Sequence, residues 1–126
     1  MLTVQKMLLL ALAGALGTIA RYTVAGFVHR FTGASFPWGT LAVNAFGCFV
    51  VGVLWTLFEQ RFVSAGVRTL VLVGFMGAFT TFSAFALETG ELLRTTHYWG
   101  ALQNLALQNG LGLAMLFGGM AAGRWI

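Results

Sequence analysis

The sequence predicts an all-α integral membrane protein: one domain over residues 1–126, with four transmembrane helices and a break in the third. Three observations predict it. First, 59% of the residues are hydrophobic and 8% are charged, whereas a soluble domain carries about 25% charged residues. Mean hydropathy is +0.87, and water could not solvate such a surface. Second, apolar runs recur at about 7–28, 39–58, 67–93 and 100–120. Each is about 20 residues or more, enough to cross a hydrocarbon layer about 30 Å thick. Third, the stretch Gly74-Phe75-Met76-Gly77-Ala78-Phe79-Thr80-Thr81-Phe82-Ser83-Ala84-Phe85 interrupts the third run. Glycine weakens a helix interior, and Ser and Thr offer the backbone alternative hydrogen bonds. In lipid every backbone polar group needs a partner. A break therefore survives only where it lines an enclosed cavity or holds an ion.

In the first span, Lys6 followed by Met7–Ala15 has the look of a signal peptide. The apolar run continues to Val28, so it reads as a retained helix. Its one charge, Arg21, either snorkels to the headgroups or stands at the mouth of an aqueous vestibule, drawing in anions. His29–Pro37 reads as a loop with His29 solvated, and Trp38 as an interfacial anchor.

The second span contains Asn44, a carboxamide that must find a partner in hydrocarbon. It either bonds a neighbouring helix or turns its NH₂ donors to a permeating anion. In the third span, Phe82, Phe85 and Glu88 are three apart and share a face if that half is helical. Such a stripe serves packing or a path. Glu88 either marks a proton or cation route or pairs with an arginine such as Arg21. In the fourth span, Asn104, Gln108 and Gly112 form a polar track, for helix–helix hydrogen bonding or for an ion. Gly119 and Gly123 form a GxxxG suited to helix packing. The chain's 17 glycines fit close packing in lipid.

Four spans put both termini on one side, with Lys6, Arg61, Arg68 and Arg124. The other side has Arg30 and Arg94, plus Arg21 if it snorkels there. That bias is poor under the positive-inside rule. It permits insertion in both orientations and hence an antiparallel homodimer. The net charge of +4 suits anionic headgroups, and the basic residues are too few for a nucleic-acid surface. Cys48 is the only cysteine, so no intrachain disulfide forms. Three acids and two histidines supply no triad, metal cluster or phosphate loop, which argues against an enzyme. A broken helix offers something else. Its first half ends in free carbonyls suited to a cation such as Na⁺. Its second half begins with free N–H groups suited to an anion, and the edges of the Phe82 and Phe85 rings are electropositive.

The sequence resembles the Fluc (CrcB) family of fluoride ion channels. The match rests on Gly17 and Arg21, on Trp38-Gly39-Thr40-Leu41-Ala42-Val43-Asn44, and above all on Gly74–Phe85 with Glu88. Length and the four-span layout agree over essentially the whole chain. The resemblance implies a dual-topology antiparallel homodimer in the bacterial inner membrane, with two fluoride pores. It implies passive export of fluoride, which relieves its toxicity. It implies a structural Na⁺ at the dimer interface, held by the backbone carbonyls of Gly77 and Thr80 from both subunits. It makes Phe82 and Phe85 the pore aromatics and Asn44 a fluoride donor, with Thr81 and Ser83 as hydroxyl contacts. Asn104, Gln108 and Gly112 become a polar track at the pore exit, and Arg21 a vestibule residue. Three positions depart from the family's usual residues: Ala84 for Thr or Ser, Asn104 for Tyr, and Gly112 for a hydroxyl residue. The competing readings are a small-molecule transporter, a fluoride/proton transporter using Glu88, and a non-transporting scaffold. The first of these relies on a first-span carboxylate that this chain lacks.

Overall fold

The computed structural model describes residues 3–126. Helix α1 runs Val4–Thr32, with Thr3 capping its start by accepting the Lys6 N–H at 3.4 Å. It ends at Gly33, whose φ of 73° lies in the left-handed region that glycine tolerates best. The sequence places His29 in a loop over His29–Pro37; nothing between Val28 and Thr32 stops the helix, so His29 is helical instead. Helix α2 spans Trp38–Gln60.

The third span, Ala65–Arg94, is segmented. It opens with α3 (Ala65–Arg68), continues as a π-helical segment (Thr69–Met76), and closes its first half with α4 (Gly77–Phe79). In the π segment the Gly77 N–H reaches the Leu72 carbonyl, five residues back. Thr80 and Thr81 are then extended, with φ/ψ of −83°/158° and −149°/115°. Helix α5 (Phe82–Arg94) completes the span, and α6 (Tyr98–Gly123) is the fourth. All four spans are long and apolar enough to cross a membrane. Among the described residues there is no strand.

Glycines set the closest helix contacts. Gly52 of α2 meets the Leu116 carbonyl of α6, and Gly119 of α6 meets the Phe49 carbonyl of α2, with no room for a Cβ at either. Gly123 lies against Thr56, so the GxxxG pair packs on α2. Thr56 Oγ1 donates to the Met120 carbonyl across this seam at 3.3 Å. On the other side, Gly17 of α1 sits against the Phe75 carbonyl. The small core between α1, α2 and the third span is Val43, Met76 and Phe79. Outward residues such as Leu12, Leu16, Ile19 and Phe117 are exposed, as lipid-facing side chains are.

Candidate ion site at the helix break

The break falls at Thr80-Thr81, not at the glycines before it. Gly74 stays helical and lies where an added Cβ would come within 2.8 Å of the Ala13 Cβ, so it serves packing. What interrupts the helix is a set of alternative bonds. The Thr80 N–H still makes the helical bond to the Met76 carbonyl at 3.0 Å, and Thr80 Oγ1 adds a second donor to the same carbonyl at 3.0 Å. Thr81 Oγ1 accepts the Ala84 N–H at 3.2 Å and caps α5.

The backbone of Thr81 is paired by a side chain. Its N–H donates to Asn44 Oδ1 at 2.8 Å, and its carbonyl accepts from Asn44 Nδ2 at 2.9 Å. An extended residue presents both groups on one side, so the carboxamide stands in for a neighbouring strand. This satisfies backbone groups that lipid could not.

From Asn44 a chain of hydrogen bonds leads across the bundle. Asn44 Nδ2 also donates to Gln108 Oε1 at 3.0 Å. Gln108 Nε2 lies 3.5 Å from Asn104 Oδ1. Asn104 is fully buried and donates to Thr89 Oγ1 at 2.9 Å, and Thr89 Oγ1 donates to the Phe85 carbonyl at 2.8 Å. Of the expected polar track, Gln108 thus reaches the break. Asn104 sits behind it against α5, and Gly112 faces Cys48 Sγ.

A cleft of about 280 Å³ opens beside the break. Asn44, Cys48, Thr80, Thr81, Phe82, Phe85 and Gln108 are among its lining residues. The two rings meet edge to face, with centroids 5.4 Å apart and planes at 75°. Phe85 is 6% exposed and Phe82 77%. Ser83 is exposed, and its Oγ lies 3.4 Å from Thr81 Oγ1.

Thr81 also walls a second cleft of about 410 Å³. There Arg21, Tyr22, His29, Thr40 and Glu88 come together. Sequence offered Glu88 an arginine such as Arg21. The structure gives it Thr40, which donates to Glu88 Oε1 at 2.6 Å, while Glu88 Oε2 is buried without a hydrogen-bond partner among the described residues. The ion pair seen among those residues joins Arg94 and Glu91.

The cation expected from the resemblance can be tested against the oxygens present. The Thr81 N–H, which would close a helical turn onto the Gly77 carbonyl, goes to Asn44 instead. The Thr80 carbonyl receives no hydrogen bond among the described residues. Both are hard oxygen donors of the kind Na⁺ accepts, and Gly77 is exposed. Among the described residues no His/Cys/Asp/Glu cluster competes as a metal site.

Sequence reasoning missed Thr89, Thr40 and Cys48 as participants. Thr89 was findable, since it is a hydroxyl one helical turn beyond Phe85 in a span where polar groups need partners. The Thr40–Glu88 pair was not, because it joins residues far apart in the chain.

Comparison with known proteins follows the same lines. Residues 8–120 match the family model described as CrcB-like protein, Camphor Resistance (CrcB). A protein of Desulforapulum autotrophicum named Fluoride-specific ion channel FluC is 61% identical, covering 97% of this chain and 98% of its own. Proteins of the same name from Nitrosococcus oceani and Solidesulfovibrio magneticus are 51% and 48% identical. They cover 90% and 97% of this chain and 91% and 98% of their own.

Proposed function

We propose a mechanism for a chain that belongs to the CrcB family: it is a fluoride-specific ion channel, not an enzyme, and its ion path runs beside the break in the third span. The observation that carries this placement is the cleft at Thr80-Thr81, where the edges of Phe82 and Phe85 meet the carboxamides of Asn44 and Gln108. Each ring edge is a weak attractor, and each amide N–H a stronger one. Together they replace part of the anion's hydration shell without a fixed positive charge. Loose binding of this kind suits passage rather than storage.

The path extends to the second cleft through Thr81, with Thr81 and Ser83 as hydroxyl contacts and Arg21 raising the local concentration of anions. Asn104 supports Gln108 from behind. The chain works as an antiparallel homodimer in the bacterial inner membrane. The poor charge bias and the exposure of Phe82 and Gly77 support that assembly. Two copies would bring four carbonyls, from Gly77 and Thr80 of each, to one structural Na⁺, whose charge would fix the two breaks against each other. The negative-inside potential drives fluoride outward.

The transporter alternative is not favoured. A small-molecule carrier of this layout relies on an acid in its first span, where this chain has none. Glu88 lies in the second cleft rather than the aromatic one. The test is fluoride efflux from liposomes carrying the purified protein, with a potassium ionophore setting the voltage. Rapid fluoride release with little chloride release is expected. No release from folded protein would overturn the reading.

A further inference from the structure

We propose that His29 and Glu88 form a proton-operated gate at the loop end of the bundle, where a charged His29 admits fluoride and a neutral one holds it back. The proposal rests on the fluoride-channel reading, because it concerns how anions reach the second cleft. Outside that cleft lies another of about 330 Å³. Its walls include Ser35, Phe36 and Pro37 of the α1–α2 loop, and Glu91, Leu92 and Thr95 at the end of α5. Two residues wall both clefts: His29 of α1 and Glu88 of α5. An anion moving from the loop end towards Thr81 therefore passes an imidazole and a carboxyl group.

Adjacent residues of α2 seat both groups. An added Cβ at Gly39 would come within 2.8 Å of His29 Nε2, so the ring lies directly on the helix there. The next residue, Thr40, donates to Glu88 Oε1 at 2.6 Å. Glu88 Oε2 is left buried and without a hydrogen-bond partner among the described residues. His29 itself is exposed, so protons reach it. The other charges nearby leave this pair to itself. Glu91 is paired with Arg94 at 2.8 Å. Arg21 and Tyr22 wall only the deeper cleft, and Arg30 walls neither. Helix α2, helix α6 and the loop bring no ionisable side chain to either cleft. An ionised Glu88 thus puts an uncompensated negative charge on the passage, which repels anions. A protonated His29 offsets that charge and brings N–H donors to a passage where one carboxylate oxygen is still open. Histidine changes charge between about pH 5 and pH 8, so acid opens the gate. The proton stays on the ring and does not travel with fluoride, so conductance changes while the reversal potential does not.

The test is the conductance of the full-length protein in a planar bilayer, with equal sodium fluoride and equal pH on both sides. Neutral HF carries no current, so its leak through lipid does not register. Between about pH 8 and about pH 5, conductance should rise about threefold, a modest steering effect because salt screens it. His29→Gln should stay at the alkaline level throughout, and His29→Arg at the acid level throughout. Glu88→Gln should bring the alkaline conductance up to the acid level. His97 is the other histidine of the chain and walls neither cleft, so His97→Gln should behave as the native protein does. A rise on acidification that persists in His29→Gln would overturn the gate, as would a native current that ignores pH. The native and His29→Gln records decide even if the arginine variant does not fold. No fluoride current from the native protein at either pH would overturn the channel reading and the gate with it, whereas a steady, pH-independent fluoride current would overturn the gate alone.

Discussion

Replacing Asn44 with alanine removes three hydrogen bonds at once: two to the Thr81 backbone and one to Gln108. At the average measured inside membranes, about 0.6 kcal/mol each, the loss is about 2 kcal/mol. The deletion also leaves an N–H and a C=O without partners. Each such group costs about 1–3 kcal/mol when no water replaces the bond, which would raise the total to about 4–8 kcal/mol in a dry site. The cleft beside Thr81 decides where the result falls, because water entering there relieves part of the cost. Equilibrium unfolding in mixed micelles measures the difference. Asn109→Ala is the reference, since Asn109 is exposed and bonds only the Leu105 carbonyl of its own helix at 2.8 Å. Asn44→Ala should lie about 2–4 kcal/mol below it and should lose most of its fluoride flux. Equal stability of the two variants would refute the idea that Asn44 satisfies the break.

Phe82→Ile should cut fluoride flux sharply while the assembly persists, because the ring edge is lost and apolar bulk is kept; normal conduction would remove Phe82 from the path. Cys48 lines the same cleft, so a small thiol reagent such as silver ion should block flux in the native protein and spare Cys48→Ser, and equal sensitivity of both would place the path elsewhere. Gly47 has no room for a Cβ because the Thr80 methyl fills the space. Gly47→Ala should therefore disturb the break, lowering flux and stability by about 1–3 kcal/mol, and a neutral result would show that the Thr80 side chain can move away.

Much of this site could be read from residue order, and the remainder could not for identifiable reasons. The four spans follow from apolar length, and the break from a Thr-Thr-Phe-Ser run that a lipid-embedded helix has little use for. Asn44 stood out because a lone carboxamide in an apolar run needs a partner. Sequence could not choose that partner, since the Thr81 backbone is 37 residues away and becomes available only when the chain is extended there. The π segment Thr69–Met76 was invisible, because hydropathy does not report whether a bond closes four or five residues back. Polarity places His29 in the loop, although the helix continues until Gly33 gives the chain a left-handed exit. The four-residue spacing puts Asn104 and Gln108 on one face, where their side chains meet at 3.5 Å. Which of them meets the cleft depends on how α5 packs, and that is a tertiary fact.

The central claim is that fluoride moves alone, down its own gradient, past this break. The most direct measurement is the reversal potential of current through the protein in a planar bilayer, with a tenfold fluoride gradient and, separately, a pH gradient. The account predicts reversal near the fluoride equilibrium potential, about 59 mV in magnitude for a univalent ion, unmoved by the pH gradient. Current whose reversal follows pH would mean that proton movement is coupled to fluoride, with Glu88 as the residue to change, and would contradict the channel mechanism.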